Sequence, residues 1–234
     1  MKVLDQMKTE FVSIASHQLR NPLTSIRGYT SMLLEGSYGK LPKKALTAIE
    51  NIAQKSEMMA ASVEDYLTVS RIEAGSMQYN PMDFNLKDEV SHAVDTLRRE
   101  ATKQGLLLTF KTDLSAKGVV HADIQKVQHI IQNLLSNAFC YTPRGMITVF
   151  IHDEKNKIHV DIIDSGIGMN QEELEDIFDK FQRAQNAPEI DVTGTGLGLF
   201  VAQKMAQQMD GDITAFSDGV GKGSTFRFTL PLHM

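Results

Sequence analysis

At 234 residues, 42% of them apolar, and with a net charge of -5, the chain can build one or two real cores, and it lacks the positive charge by which nucleic-acid binders neutralise phosphate. Its single cysteine, Cys140, excludes an intrachain disulfide and fits a reducing compartment. There is no signal-peptide pattern and no membrane segment, so the chain reads as cytoplasmic, whole or as the cytoplasmic part of a longer receptor.

Val3, Leu4, Met7, Phe11, Ile14, Leu19, Leu23 and Ile26 recur at near-helical spacing, which predicts one helix over residues 1–35. Ser16, His17, Arg20 and Asn21 fall on its polar side. Pro22 offers no N–H to the carbonyl of Gln18 and its ring crowds that turn, so a bend is expected one turn after His17. Gly36 and Gly39 mark a loop. A second helix follows from Lys43 to Ala74, with Leu46, Ile49, Ala53, Met59, Val63 and Leu67 on one face and Gly75 as its C-cap. A two-helix hairpin buries too little by itself, so pairing with a second copy into a four-helix bundle, a homodimer, is expected.

Ser76 to Phe84, with Pro81, reads as a polar connector that can serve as a hinge. The chain then divides into 1–76, a linker at 77–84 and a second domain at 85–234. In the latter, helices are expected at Leu86 to Gln104, after Asp123, from Glu172 and after Gly198. Strands are expected at Leu106 to Lys111, Gly118 to His121, Ile147 to His152, Ile158 to Ile163, Ile213 to Ser217 and Thr225 to Leu230. The fold class is α+β: a helical hairpin followed by an α/β sandwich with helices on one face of a mixed sheet.

Three clusters in the second domain carry chemistry. Asn133 and Asn137, four apart in NLLSNAFCYT, share a helix face and present amide oxygens suited to Mg²⁺ that also binds phosphates. Asp164, at the end of an apolar strand, can accept a hydrogen bond from an exocyclic amine, and Gly166 and Gly168 after it allow close backbone approach. Gly194, Gly196 and Gly198 lead into a helix whose first amides can hold phosphate. Singly, each has an ordinary structural reading as a solvated helix face, a turn or a glycine-rich loop; order and context make the set specific. The histidines at 92, 121, 129, 152, 159 and 233 form no metal-ligand pattern in sequence, and ordinary packing or exposure accounts for them.

Taken together, the clusters and the histidine segment resemble the transmitter core of the sensor histidine kinases of two-component signalling. The H box matches SHQLRNPL, the N box Asn133 to Thr142, the G1 box Asp164 to Gly168, the F box Phe178 to Phe181 and the G2 box Gly194 to Gly198; GKGSTFRFTLP resembles the closing turn and strand. The resemblance implies a dimerisation and phosphotransfer domain followed by a Bergerat-type ATP-binding domain. His17 would accept the γ-phosphoryl group of ATP and pass it to an aspartate of a response regulator. Gln18 would orient the imidazole, and Asn21, one turn on, would position water for dephosphorylation of the regulator. Asp164 would take the adenine amine, Tyr141 would pack on the nucleotide, Asn133 and Asn137 would hold Mg²⁺, and Gly166, Gly168, Gly194, Gly196, Gly198 and Thr225 would complete the ATP pocket. Residues 169–193 would form a lid in which Phe178 and Phe181 pack and Arg183 meets phosphate or solvent.

Two positions depart from the family pattern. Gln18 stands where an acidic residue is usual, and an amide can orient an imidazole without taking its proton. Cys140 stands where the N box usually carries a basic residue. Both keep open a kinase-weak receiver phosphatase or a nucleotide-binding regulatory scaffold. A further alternative is an ATPase or chaperone of the wider Bergerat group with His17 incidental.

Overall fold

A computed structural model describes residues 18, 21–115, 118–182 and 195–233, in two compact units that part between Met77 and Gln78. His17, Arg183 and Gly194 lie outside the described residues, as does most of the first predicted helix, including part of the turn expected to bend before Pro22.

The first unit is a helical hairpin. Helix α1 covers 21–34 and α2 covers Lys43–Glu73. The turn between them needs two left-handed backbone positions, which Gly36 and Gly39 adopt at φ 81° and 93°. Arg27 of α1 reaches Glu57 of α2 at 3.8 Å, an exposed ion pair of little energetic weight that shows the helices side by side. Ile26, Met32, Leu34, Ile52 and Met59 are exposed, so the hairpin carries apolar surface that one copy leaves in water.

The second unit is a two-layer sandwich. Strands β2 (Leu106–Asp113), β4 (Gly145–Glu154), β5 (Lys157–Asp164), β6 (Asp212–Phe216) and β7 (Ser224–Pro231) form one sheet in the order β2-β4-β5-β7-β6. Its β2–β4 pair is parallel and the others are antiparallel. Alternation decides which face is buried: Ile147, Val149 and Ile151 of β4, Ile158, Val160 and Ile162 of β5, and Phe226, Phe228 and Leu230 of β7 point into the core. There they meet Val90 and Val94 of α3 (Leu86–Gln104), Ile131 and Leu134 of α4 (Ile124–Tyr141), and Val201 and Met205 of α6 (Gly198–Gln207), all fully or almost fully buried. The short helix α5 (Gln171–Asp176) opens on a capping box between Asn170 and Glu173.

Two differences from the sequence reading follow from pairing at a distance. Residues 82–84, read as linker, belong to strand β1 (Met82–Asn85), because their backbone pairs antiparallel with β3 (Val119–Ala122). The connector is anchored as well: Asp123 caps α4 by accepting the amides of Gln125 and Lys126 through Oδ1, while its Oδ2 accepts the amide of Asn80 at 2.9 Å. No helix among the described residues is long and apolar enough to cross a membrane.

Candidate functional site

The site is built where β5 ends, against the carboxyl end of α4. Asp164 is the last residue of β5 and is 7% exposed. Its Oδ1 accepts the amide of Gly166 at 2.8 Å, and the amide of Ser224 also donates to the carboxylate. Burial nonetheless pushes the Asp164 carboxyl above its ordinary range, outweighing both amides. The turn that follows is clamped to α4, since Ile167 N–H donates to the carbonyl of Tyr141 at 3.1 Å. Gly166 lies so close to that carbonyl that a Cβ would strike it, with Asp164 Oδ1 at 2.7 Å and Thr142 Oγ1 at 2.9 Å. Only glycine closes this turn.

Gly168, at φ 65°, is pressed against the Gly219 carbonyl, and Gly223 against the carbonyl of Asp164. The glycine turn before β7 therefore walls the site on its second side. On the third side, α4 packs beside α6. Asn133 Oδ1 sits where a Cβ on Gly198 would have to go, so the first residue of α6 is a glycine that leaves room for the amide. Asn133 and Asn137 are half-buried, and neither side chain hydrogen-bonds to another described residue, so both amides are available to a ligand. The start of α6 has no side-chain cap. Nearby, Phe181 N–H donates to the Gly196 carbonyl at 2.9 Å.

Of the residues singled out from sequence, Asn133, Asn137, Tyr141, Asp164, Gly166, Gly168 and Gly198 therefore gather at one edge of the sandwich, with Gly196 at its margin. What the structure shows of Tyr141 in the site is its carbonyl, gripping the Asp164 turn. Phe181, expected to pack, is 60% exposed. Thr225 does not join the site. Register places Ser224 opposite Asp164 and Thr225 opposite Ile163, so Thr225 shares the outer face with Arg227 while Ser224 lies on the buried face. Thr142 carries no motif signal of its own that singles it out. Its hydroxyl is fully buried beside Gly166 and Asp164 with no partner among the described residues. Gln18 and Asn21 are exposed helical residues of the first unit.

An orphaned buried hydroxyl and a carboxylate that burial disfavours are costs a fold accepts for a ligand. Their donors and acceptors fit a purine edge, and the two neutral amide oxygens fit Mg²⁺ beside phosphates. The fold and the site together define a Bergerat-type ATP-binding domain.

Comparison with known proteins agrees. Residues 122–234 match the family described as histidine kinase-, DNA gyrase B-, and HSP90-like ATPase, and residues 7–75 match the His kinase A (phospho-acceptor) domain. Sensor histidine kinase WalK of Bacillus subtilis is 33% identical over 233 residues, covering 97% of this chain and 37% of WalK. Full-length ShkA, solved in complex with AMPPNP, shares the fold at a TM-score of 0.75 and 19% identity, covering 95% of this chain and 45% of ShkA. ThkA, solved in complex with the response regulator protein TrrA, has a TM-score of 0.64 at 23% identity, over 96% of this chain and 61% of ThkA. The chain belongs to the sensor histidine kinases, of which it is a transmitter core. It spans 37% of the length of WalK and 24% of that of sensor histidine kinase RcsC of Salmonella typhimurium, which is 30% identical over 97% of this chain.

Proposed function

We propose that this chain phosphorylates itself on His17 from Mg-ATP and passes the phosphoryl group to an aspartate of a response-regulator receiver domain. The observation that carries the reading is the Asp164–Gly166–Thr142 cluster closed onto the asparagine-bearing helix α4. It lies in the same chain as a phospho-acceptor segment.

In this reading the Asp164 carboxylate accepts the exocyclic amine of adenine, with the Thr142 and Ser224 hydroxyls beside it in place of Thr225. Asn133 and Asn137 hold Mg²⁺, which when bound neutralises the phosphate oxygens, and the α6 amides face the phosphate chain. A neutral His17 nitrogen attacks the γ-phosphorus and the bond to the bridging oxygen breaks, releasing ADP. Gln18 orients the imidazole, and the imidazole proton goes to water because an amide cannot take it. The receiver aspartate then attacks phosphohistidine and regenerates His17. Exposed apolar residues along the hairpin support a homodimer in which two hairpins form a four-helix bundle. ThkA's complex with TrrA supports a receiver domain as partner. Location in the cytoplasm belongs to the same reading.

Gln18 favours a second reading, a receiver phosphatase with weak kinase activity in which Asn21 positions the attacking water. One experiment separates the two: incubation with γ-labelled ATP and Mg²⁺, following acid-labile, base-stable label on wild type and His17→Ala. Label on the wild type that disappears in the variant is the expected result. Absence of label despite measurable ATP binding would overturn the kinase reading, and free phosphate released without labelled protein would point to a simple ATPase.

A further inference from the structure

The histidines form no metal-ligand pattern in sequence, yet the fold brings two of them to one carboxylate. Asp83 on β1 and His121 on β3 are direct cross-strand partners, and His121 Nδ1 lies 2.6 Å from Asp83 Oδ1. The end of the described chain then returns to the same place. Leu232 N–H donates to the Asn156 carbonyl and His233 N–H to the Val119 carbonyl, both at 2.9 Å, which sets His233 Nδ1 2.9 Å from the same Asp83 oxygen. The two imidazoles meet edge to face with centroids 5.3 Å apart. One ligand atom from each of the three side chains lies within 4.8 Å of the others.

We propose that Asp83, His121 and His233 form a binding site for one borderline divalent transition ion of the Zn²⁺ class. Two imidazoles and one carboxylate are the donor set such ions prefer, whereas Mg²⁺ and Ca²⁺ take oxygen. Geometry is compatible with it. Bond lengths of about 2.0–2.2 Å place tetrahedral ligand atoms about 3.3 Å apart. The hydrogen-bonded separations of 2.6 and 2.9 Å therefore need to open by about 0.7 and about 0.4 Å, and all three side chains are about half exposed and free to yield. Without metal, one carboxylate oxygen accepts a hydrogen bond from the Nδ1–H of each ring. Entry of the ion replaces both hydrogen bonds, each ring moving its Nδ1 proton to Nε2, and water completes the coordination. The adjoining cleft is acidic, with Asp153 and Glu154 on its wall, although Lys155 pairs with Glu154 at 2.8 Å and Ser115 occupies Asp153. A bound ion would tie β1, β3 and the returning segment at His233 together. Because β3 runs directly into the Asp123 cap of α4, it would brace the helix that bears Asn133 and Asn137.

The test is a Zn²⁺ titration of the metal-free 234-residue protein against a chromogenic chelator, without nucleotide, with melting curves in parallel. One ion per chain should bind and raise Tm, and Asp83→Ala, His121→Ala and His233→Ala should each weaken binding by more than about tenfold, since losses even of outer-shell partners reach that size. The three positions are exposed, and circular dichroism of each variant checks that it folds. If the His121→Ala/His233→Ala double variant binds Zn²⁺ as tightly as wild type, or wild type binds none, the trio is a hydrogen-bonded cluster only and the proposal fails. Neither result depends on His17 phosphorylation.

Discussion

Asn133 Oδ1 occupies the space that a side chain on Gly198 would need, so the amino end of α6 and the middle of α4 share a contact that only glycine permits. Gly198→Ala stands at the first position of α6, where a methyl costs the helix nothing, yet it should push the Asn133 amide out of place. The expected outcome is an unchanged or higher Tm together with a loss of at least about tenfold in the Mg²⁺-dependent part of ATP affinity. Calorimetric titration with ATP, in Mg²⁺ and in EDTA, measures both affinities. An unaltered Mg²⁺ effect would remove Asn133 from the metal site.

Thr142 gives a complementary test. Its buried hydroxyl has no partner among the described residues, and such a group costs about 1–3 kcal/mol. The shape-matched Thr142→Val should therefore stabilise the nucleotide-free protein by about 1 kcal/mol and weaken ATP binding by about three- to tenfold. Urea denaturation and ATP titration of the same samples decide it. Destabilisation instead would mean that the hydroxyl is already satisfied, by water, without nucleotide.

Asp164 links pH to both stability and binding. Its folded carboxyl titrates above the unfolded value of about 3.9, so its contribution to stability is present below that value and lost as pH rises through the folded one. At neutral pH the ionised group is a cost. Asp164→Asn retains an oxygen for the Gly166 amide, and it should melt no lower than wild type at pH 7.5 while losing about 10- to 100-fold in ATP affinity. Wild-type affinity should fall on acidification at a pH above the ordinary aspartate range. A midpoint at or below about 3.9 would contradict the environment described for this carboxyl.

On the outer face of the sheet, Asp161 is 4% exposed and held by Arg227 through two bonds of 2.7 Å, with His152 at 3.3 Å. Arg227→Met should cost about 2 kcal/mol, below the roughly 3–5 typical of a fully buried pair because Arg227 is partly exposed. ATP affinity should stay within about twofold, because the site lies across the sheet. Chemical denaturation with parallel nucleotide titration checks the two halves independently.

Much of this protein was legible in its sequence, because the signals concerned are local. Apolar spacing along a helix, the strand runs of β4 and β7, the helix start after Asp123 and the glycine turns all act within a few residues. The Asp164 turn and the α4 asparagines were visible for the same reason. Tertiary structure decided what depends on register and closure. Whether Ser224 or Thr225 faces Asp164 is settled by one residue of strand register, which reverses every side chain. Residues 82–84 became strand only when β3 arrived to pair with them. Asp83 and His121 are 38 residues apart and Asp83 and His233 are 150 apart, so no local pattern predicts that their side chains meet. Short-range preference chose the elements, and long-range pairing chose which side chains share a site.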